Sequence, residues 1–171
     1  MTILRVATCS LNQWALDWEG NLLRIKQSIQ KAKSAGCRFR TGPELEICGY
    51  GLLDHFLEMD TYTTALEMLL RLLSDTSCYE ILIDVGLPIM HRGLRYNCRA
   101  LVLNSKLLFL RPKLWLANDG NYREMRFFTA WDRPQHVEDW YITNPSIAKL
   151  QGSRTVPIGM ATTEITAAYE M

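Results

Sequence analysis

The sequence predicts one globular domain with an α/β layered fold: the order of its elements predicts the fold class, and its length and composition predict a single globular domain. Apolar runs and amphipathic segments follow one another in the order β-α-β-α-β-β-β, which is typical of sheets covered by helices. The chain has 171 residues, enough for one domain with a sizeable core. Its composition, 48% hydrophobic and 22% charged, is that of an average globular protein.

The first quarter of the chain predicts two strands with one helix between them. Residues 3–9 form a short apolar run with β-branched members, as in a buried strand. A helix should follow and end near Gly36, because glycine is favoured just after a helix. Residues 38–41 predict a second strand that stops before Pro43, which has no amide hydrogen to donate. The helix is indicated by apolar residues spaced three and four apart: Leu22, Ile25, Ile29 and Ala32.

The middle of the chain predicts a second helix and three further strands. Residues 81–90 are nearly continuous in isoleucine, leucine and valine, as in a strand covered on both faces. Residues 100–103 and 107–110 flank Asn104-Ser105 and predict a hairpin. The helix before them has one apolar face: Leu66, Leu69, Leu70 and Leu73.

After Pro134 the periodicity weakens. Asn144-Pro145 and Gly152-Ser153 are turn signals, so we expect an irregular surface excursion there. The last stretch, residues 161–171, predicts a strand rich in threonine.

Charge and cysteine usage exclude several classes of protein. The 19 basic and 18 acidic residues give a net charge of +1, which suggests neither a nucleic-acid partner nor an anionic membrane surface. No stretch approaches the ~20 apolar residues of a membrane span, and the N-terminal run is too short for a signal peptide. We therefore expect a cytoplasmic protein with reduced thiols and no metal, since the cysteines have no CxxC spacing: Cys9, Cys37, Cys48, Cys78 and Cys98.

Two segments could carry chemistry. Glu44 follows the second predicted strand in an apolar setting, where a carboxylate can act as a general base. Lys113 follows a proline at a strand end and could present its ammonium group to an oxyanion. Taken alone, however, composition favours surface acids at Glu44 and Glu46 and a solvated lysine.

Together the two segments resemble the nitrilase superfamily of amidases. That superfamily has its glutamate in a Pro-Glu-x-x-x-x-Gly-Tyr setting, which corresponds here to Pro43-Glu44 through Gly49-Tyr50. Longer blocks narrow the likeness to the glutaminase domain of eukaryotic, fungal-like glutamine-dependent NAD synthetases: residues 7–21, 94–99 and 111–124. The resemblance implies a partial α-β-β-α sandwich over residues 1–171.

The resemblance also implies roles for individual residues. Glu44 would be the base, Lys113 the oxyanion partner, Tyr50 a substrate contact and Glu124 a second, positioning glutamate. We expect Glu44 and Lys113 to lie close together at the ends of neighbouring strands. The substrate would be glutamine, and the partner a synthetase domain that uses ATP; the present domain needs no cofactor. A homo-oligomer is a further expectation.

The nucleophile of that family is a cysteine, and none of the five here has the family's setting. Residues 167–171 resemble the stretch that leads to it, so we expect a chain truncated before the nucleophile, with the synthetase domain absent and the fragment inactive. Two alternatives stay open: a stand-alone carbon-nitrogen hydrolase, and a non-catalytic remnant or interaction protein.

Overall fold

A computed structural model describes residues 4–160, which form one seven-stranded sheet with helices on one face. The order of the strands is β1-β2-β3-β4-β5-β7-β6. β1, β2 and β3 are parallel, β3, β4 and β5 form an antiparallel meander, and β7 joins β5 in parallel. The strands are β1 Val6–Thr8, β2 Phe39–Thr41, β3 Leu82–His91, β4 Leu94–Leu103, β5 Lys106–Pro112, β6 Val137–Tyr141 and β7 Thr155–Gly159.

The core lies between the sheet and helices α1 (Trp18–Ser34) and α2 (Met59–Leu73). Alternate residues of β3 point into it, because successive strand side chains face opposite ways. The same alternation on β4 leaves polar residues on the other face, where the candidate site is found. The side chains that face the helices from β3 and β4 are Ile83, Val85, Leu87, Ile89, Tyr96, Cys98, Ala100 and Val102.

The α/β class and the first seven predicted elements are confirmed, with shifted boundaries. α1 ends at Ser34, and Gly36 has the left-handed φ of +72° that its glycine suggested. The hairpin turns at Asn104, but β4 starts at Leu94, six residues earlier than predicted. The first half of β4 is apolar on only one face, so it lacks the continuous apolar run from which the rest of the strand was predicted. Residues 4–160 thus contribute one sheet and one helical layer of the predicted sandwich.

The irregular excursion predicted after Pro134 is wrong. This segment forms β6, a short helix α3 (Pro145–Gln151) and β7. Several of its apolar residues belong to the core: Trp140 is 2% exposed, and Ile147 and Ile158 are fully buried. The strand predicted for residues 161–171 lies outside the described residues. Within residues 4–160, no helix combines the length and the apolar character needed to cross a membrane.

Candidate active site

Lys113 lies between two carboxylates. Its Nζ is 2.7 Å from Oε1 of Glu44 and 2.8 Å from Oε2 of Glu124. The side chain of Lys113 is 24% exposed, and that of Glu124 only 12%. These residues are separated by up to 80 positions in sequence, so the fold and not local geometry assembles the group.

The register of the meander places Lys113. β5 ends at Pro112, and the next amide, that of Lys113, donates to the carbonyl of Asn97 at 2.8 Å. This bond continues the β4–β5 ladder by one residue, which puts Lys113 opposite Asn97. The lysine side chain is therefore held at the end of the strand.

The predicted proximity of Glu44 and Lys113 is confirmed, but the expectation of neighbouring strands is wrong. Glu44 follows β2 and Lys113 follows β5, with β3 and β4 between them in the sheet. The loop after β2 runs along β3, where the amide of Ile47 donates to the carbonyl of Gly86 at 3.1 Å. A Cβ at Gly86 would lie 2.5 Å from the nitrogen of Leu45, so only glycine lets the loop lie this close. The loop, rather than adjacent strands, carries Glu44 to the lysine.

Glu124 is held by two donors besides the lysine. Its Oε1 accepts from Nδ2 of Asn97 at 2.7 Å, and its Oε2 accepts from the amide of Ala117 at 2.7 Å. The amide of Glu124 in turn donates to the carbonyl of Ala117 at 3.0 Å, which closes the loop between Lys113 and Glu124. Asn97 is a site residue that the sequence does not predict. Polar residues alternate along the segment 94–99, which indicates a strand with one polar face but not that this face meets the loops of the site.

The other two candidates lie in different surroundings. Glu46 is fully buried on the helical side and accepts two bonds of 2.8 Å from Arg40, so the surface-acid alternative is wrong for this residue. Tyr50 is 46% exposed and does not line the cavity at Glu44 and Lys113. Partial burial of its hydroxyl, together with the charge of Glu44, raises the pKa of Tyr50 to about 12. Tyr50 is therefore a neutral phenol near the acid.

A cavity of ≈ 280 Å³ opens at the pair. Its lining is polar on the side of the strands and apolar along the residues that follow Lys113. Among the described residues no cysteine lines it; Cys48 and Cys98 are buried in the interior. The lining consists of Glu44, Asn97, Arg99, Arg111, Pro112, Lys113, Leu114 and Trp115.

The electrostatics of the group favour a fixed cation. Burial alone would lower the pKa of Lys113, but the bonds with Glu124 and Glu44 outweigh it and the pKa is raised. Lys113 is thus an ammonium at neutral pH, poised to stabilise negative charge on a substrate oxygen. Burial raises the pKa of the Cys48 thiol, which disfavours the reactive thiolate at neutral pH.

The side chains at the cavity are of types suited to acid–base chemistry. Within the part of the chain that the structure describes, no three histidine, cysteine or acidic side chains converge on one point. What the arrangement offers is a carboxylate, an ammonium group and a second carboxylate that fixes the ammonium group.

Comparisons with known proteins agree on the type of domain. The model of the carbon-nitrogen hydrolase family matches residues 5–168. A glutamine-dependent NAD(+) synthetase of Saccharomyces cerevisiae is 55% identical over 159 residues, which cover 93% of this chain and 22% of that protein. The human protein of the same name is 53% identical over 156 residues, which cover 91% and 22%. The chain thus spans about a fifth of the length of these relatives.

Solved structures of two kinds of protein superpose on this chain. A glutamine-dependent NAD(+) synthetase from Cytophaga hutchinsonii superposes with a TM-score of 0.80 and 34% identity, over 91% of this chain and 25% of that one. An amidase from Nesterenkonia superposes with a TM-score of 0.65 over 80% of this chain and 51% of that one. At 20% identity, the amidase shows the fold alone.

Proposed function

Because the chain belongs to the carbon-nitrogen hydrolase family, we propose that it supplies the base and the oxyanion cation for hydrolysis of the glutamine side-chain amide. The ammonia would serve the ATP-dependent amidation of nicotinic acid adenine dinucleotide to NAD, the reaction of a glutamine-dependent NAD synthetase. One observation carries the proposal: Lys113 is held between Glu44 and Glu124 beside an open cavity.

Each residue has a role in the proposed reaction. Glu44 takes the proton of a cysteine thiol, and the thiolate attacks the amide carbon. The oxygen gains negative charge, which Lys113 stabilises. The C–N bond then breaks, Glu44 returns the proton to the leaving nitrogen, and ammonia departs. Water hydrolyses the remaining thioester, which releases glutamate and the thiol.

The thiol is the part of this reaction that residues 4–160 do not supply at the cavity. A glutamate and a lysine polarise an amide but offer no comparable nucleophile at neutral pH. We therefore propose that this chain is inactive by itself. The synthetase partner, the ATP requirement, glutamine as substrate and any homo-oligomer are likewise proposals, based on relatives that are much longer.

The cytoplasmic location is also a proposal. It is supported by the five cysteines, all of which are free thiols in the structure. Disulfides are rare in the reducing cytosol and common outside it.

A chimera tests the proposed function. The 159 matched residues of the S. cerevisiae relative are replaced by those of this chain, and NAD formation is measured with glutamine or with ammonium as nitrogen donor. We expect both donors to support synthesis. A chimera that uses ammonium but not glutamine would show that these residues do not perform the amidase step. Lys31→Met, which changes an exposed lysine of α1, is the matched control and should leave both rates unchanged.

A further inference from the structure

Strand β4 carries a row of polar side chains on the face away from the helices. Arg95, Asn97 and Arg99 occupy alternate positions there. Asn97 donates to Glu124, and Arg99 donates to the loop that holds Glu44. The proposed reaction assigns no step to Asn97 or Arg99. Each of them nevertheless contacts a segment that carries one of the two carboxylates bound to Lys113.

Arg99 binds the backbone directly beside Glu44. Its Nη1 donates to the carbonyl of Pro43 at 2.7 Å, and its Nη2 donates to the carbonyl of Gly42 at 3.0 Å. The guanidinium is itself fixed by a 2.8 Å bond from Nε to Oδ1 of Asp84. Arg99 lies opposite Gly86 in the β3–β4 register. Gly86 has no side chain, which lets the loop lie close to β3. Arg99, opposite Gly86 on β4, holds the loop through two of its backbone carbonyls.

Asn97 binds both Lys113 and Glu124. Its carbonyl accepts from the amide of Lys113 at 2.8 Å, and its side-chain amide donates to Oε1 of Glu124 at 2.7 Å. Asn97 is 2% exposed, so water does not replace these bonds. The bond from Asn97 thus orients the carboxylate of Glu124 with Oε2 towards the lysine.

We propose that Asn97 and Arg99 are positioning residues, which set the two carboxylates at hydrogen-bond distance from Lys113 and so keep its ammonium group in place. The chemical use of this geometry rests on the proposed amidase function. The geometry itself belongs to the chain as it stands and can be measured without turnover.

The test is the pKa of Lys113 in the folded 171-residue chain, followed by NMR of lysine labelled at Cε. Loss of either donor frees a carboxylate to move, and an opposite charge at close range shifts a pKa by about 1–3 units. We expect Asn97→Ala and Arg99→Gln each to lower the pKa of Lys113 by about one unit. Glu124→Gln, which removes one carboxylate outright, gives the reference shift.

Arg71→Gln is the matched control. It removes an arginine that pairs with Glu19 between the two helices, on the opposite side of the sheet. A residue with only a structural role would lower stability and leave the pKa of Lys113 unchanged, as this control should. An unchanged pKa in folded Asn97→Ala and Arg99→Gln, with a shift in Glu124→Gln, would overturn the inference.

The failure of this inference differs from the failure of the proposed function. In the chimera, Asn97→Ala should lower kcat with glutamine more than it changes KM, and leave the ammonium-driven rate unchanged. If the unmutated chimera cannot use glutamine, the proposed function fails whatever the pKa of Lys113 does. If it uses glutamine but neither substitution alters kcat or that pKa, the positioning role alone is wrong.

Discussion

Glu46 and Arg40 form an ion pair that solvent does not reach, only two residues from the proposed base. Both side chains are 0% exposed, and the two bonds between them are 2.8 Å long. Arg40 also donates to Ser28 of α1 at 3.0 Å, so the pair ties the Glu44 loop to the helical layer. Breaking such a pair on one side leaves a buried charge without a partner.

We predict that Glu46→Gln lowers the free energy of unfolding by about 3–5 kcal/mol, the usual cost of removing one member of a buried pair. Urea denaturation measures it. Glu19→Gln, at an exposed pair with Arg71, should change stability little. A similar loss in both variants would mean that burial does not distinguish the two pairs.

At the residue scale, the sequence could predict part of the site. Glu44 and Lys113 were identifiable because two separate segments resembled one family. Glu46 was not, since nothing in the sequence distinguishes a carboxylate with a buried arginine partner from a surface acid. Asn97 and Arg99 depend on the β4 register and on which face of that strand meets the loops, and neither is fixed by composition.

At the scale of elements, α3 shows how helix caps can be mistaken for turns. Oδ1 of Asn144 accepts from the amides of Ser146 at 3.0 Å and Ile147 at 3.1 Å, and Gly152 ends the helix with a left-handed φ of +68°. The same residue types form turns, because both uses satisfy unpaired backbone groups. A helix of seven residues has too few turns for periodicity to decide between them.

We predict that Asn144→Ala lowers the free energy of unfolding by about 1 kcal/mol, since two amides of the first turn lose their acceptor. The midpoint of chemical denaturation reports it. Asn121→Ala, at an exposed position of the loop between Lys113 and Glu124, should have no measurable effect. No loss in Asn144→Ala would mean that solvent caps the helix equally well.

The other elements were easier to predict. α1 and α2 have long apolar faces, and β3 is apolar along most of its length, so their patterns persist over 10 to 17 residues. β6 and β7 have five residues each, and β6 alternates core and surface positions only around Trp140. Such short strands are fixed by their partners in the sheet rather than by their own sequence.

At the scale of the whole molecule, the prediction concerns activity of the chain alone. We predict that the 171-residue chain releases no ammonia from glutamine above background, because the described cavity contains no thiolate. A coupled ammonia assay measures this. Turnover that persists in Cys48→Ala would show that the proposed mechanism is wrong, whereas turnover abolished by that substitution would identify Cys48 as the nucleophile.

The most direct test asks whether Glu44 and Lys113 serve the amidase step. In the chimera, Glu44→Gln and Lys113→Met should each reduce glutamine-driven NAD formation by roughly 10²-fold or more, as expected when a general base or an oxyanion partner is lost. The ammonium-driven rate should stay unchanged. Equal losses with both nitrogen donors, or no loss with glutamine, would contradict the assignment of the pair to amide hydrolysis.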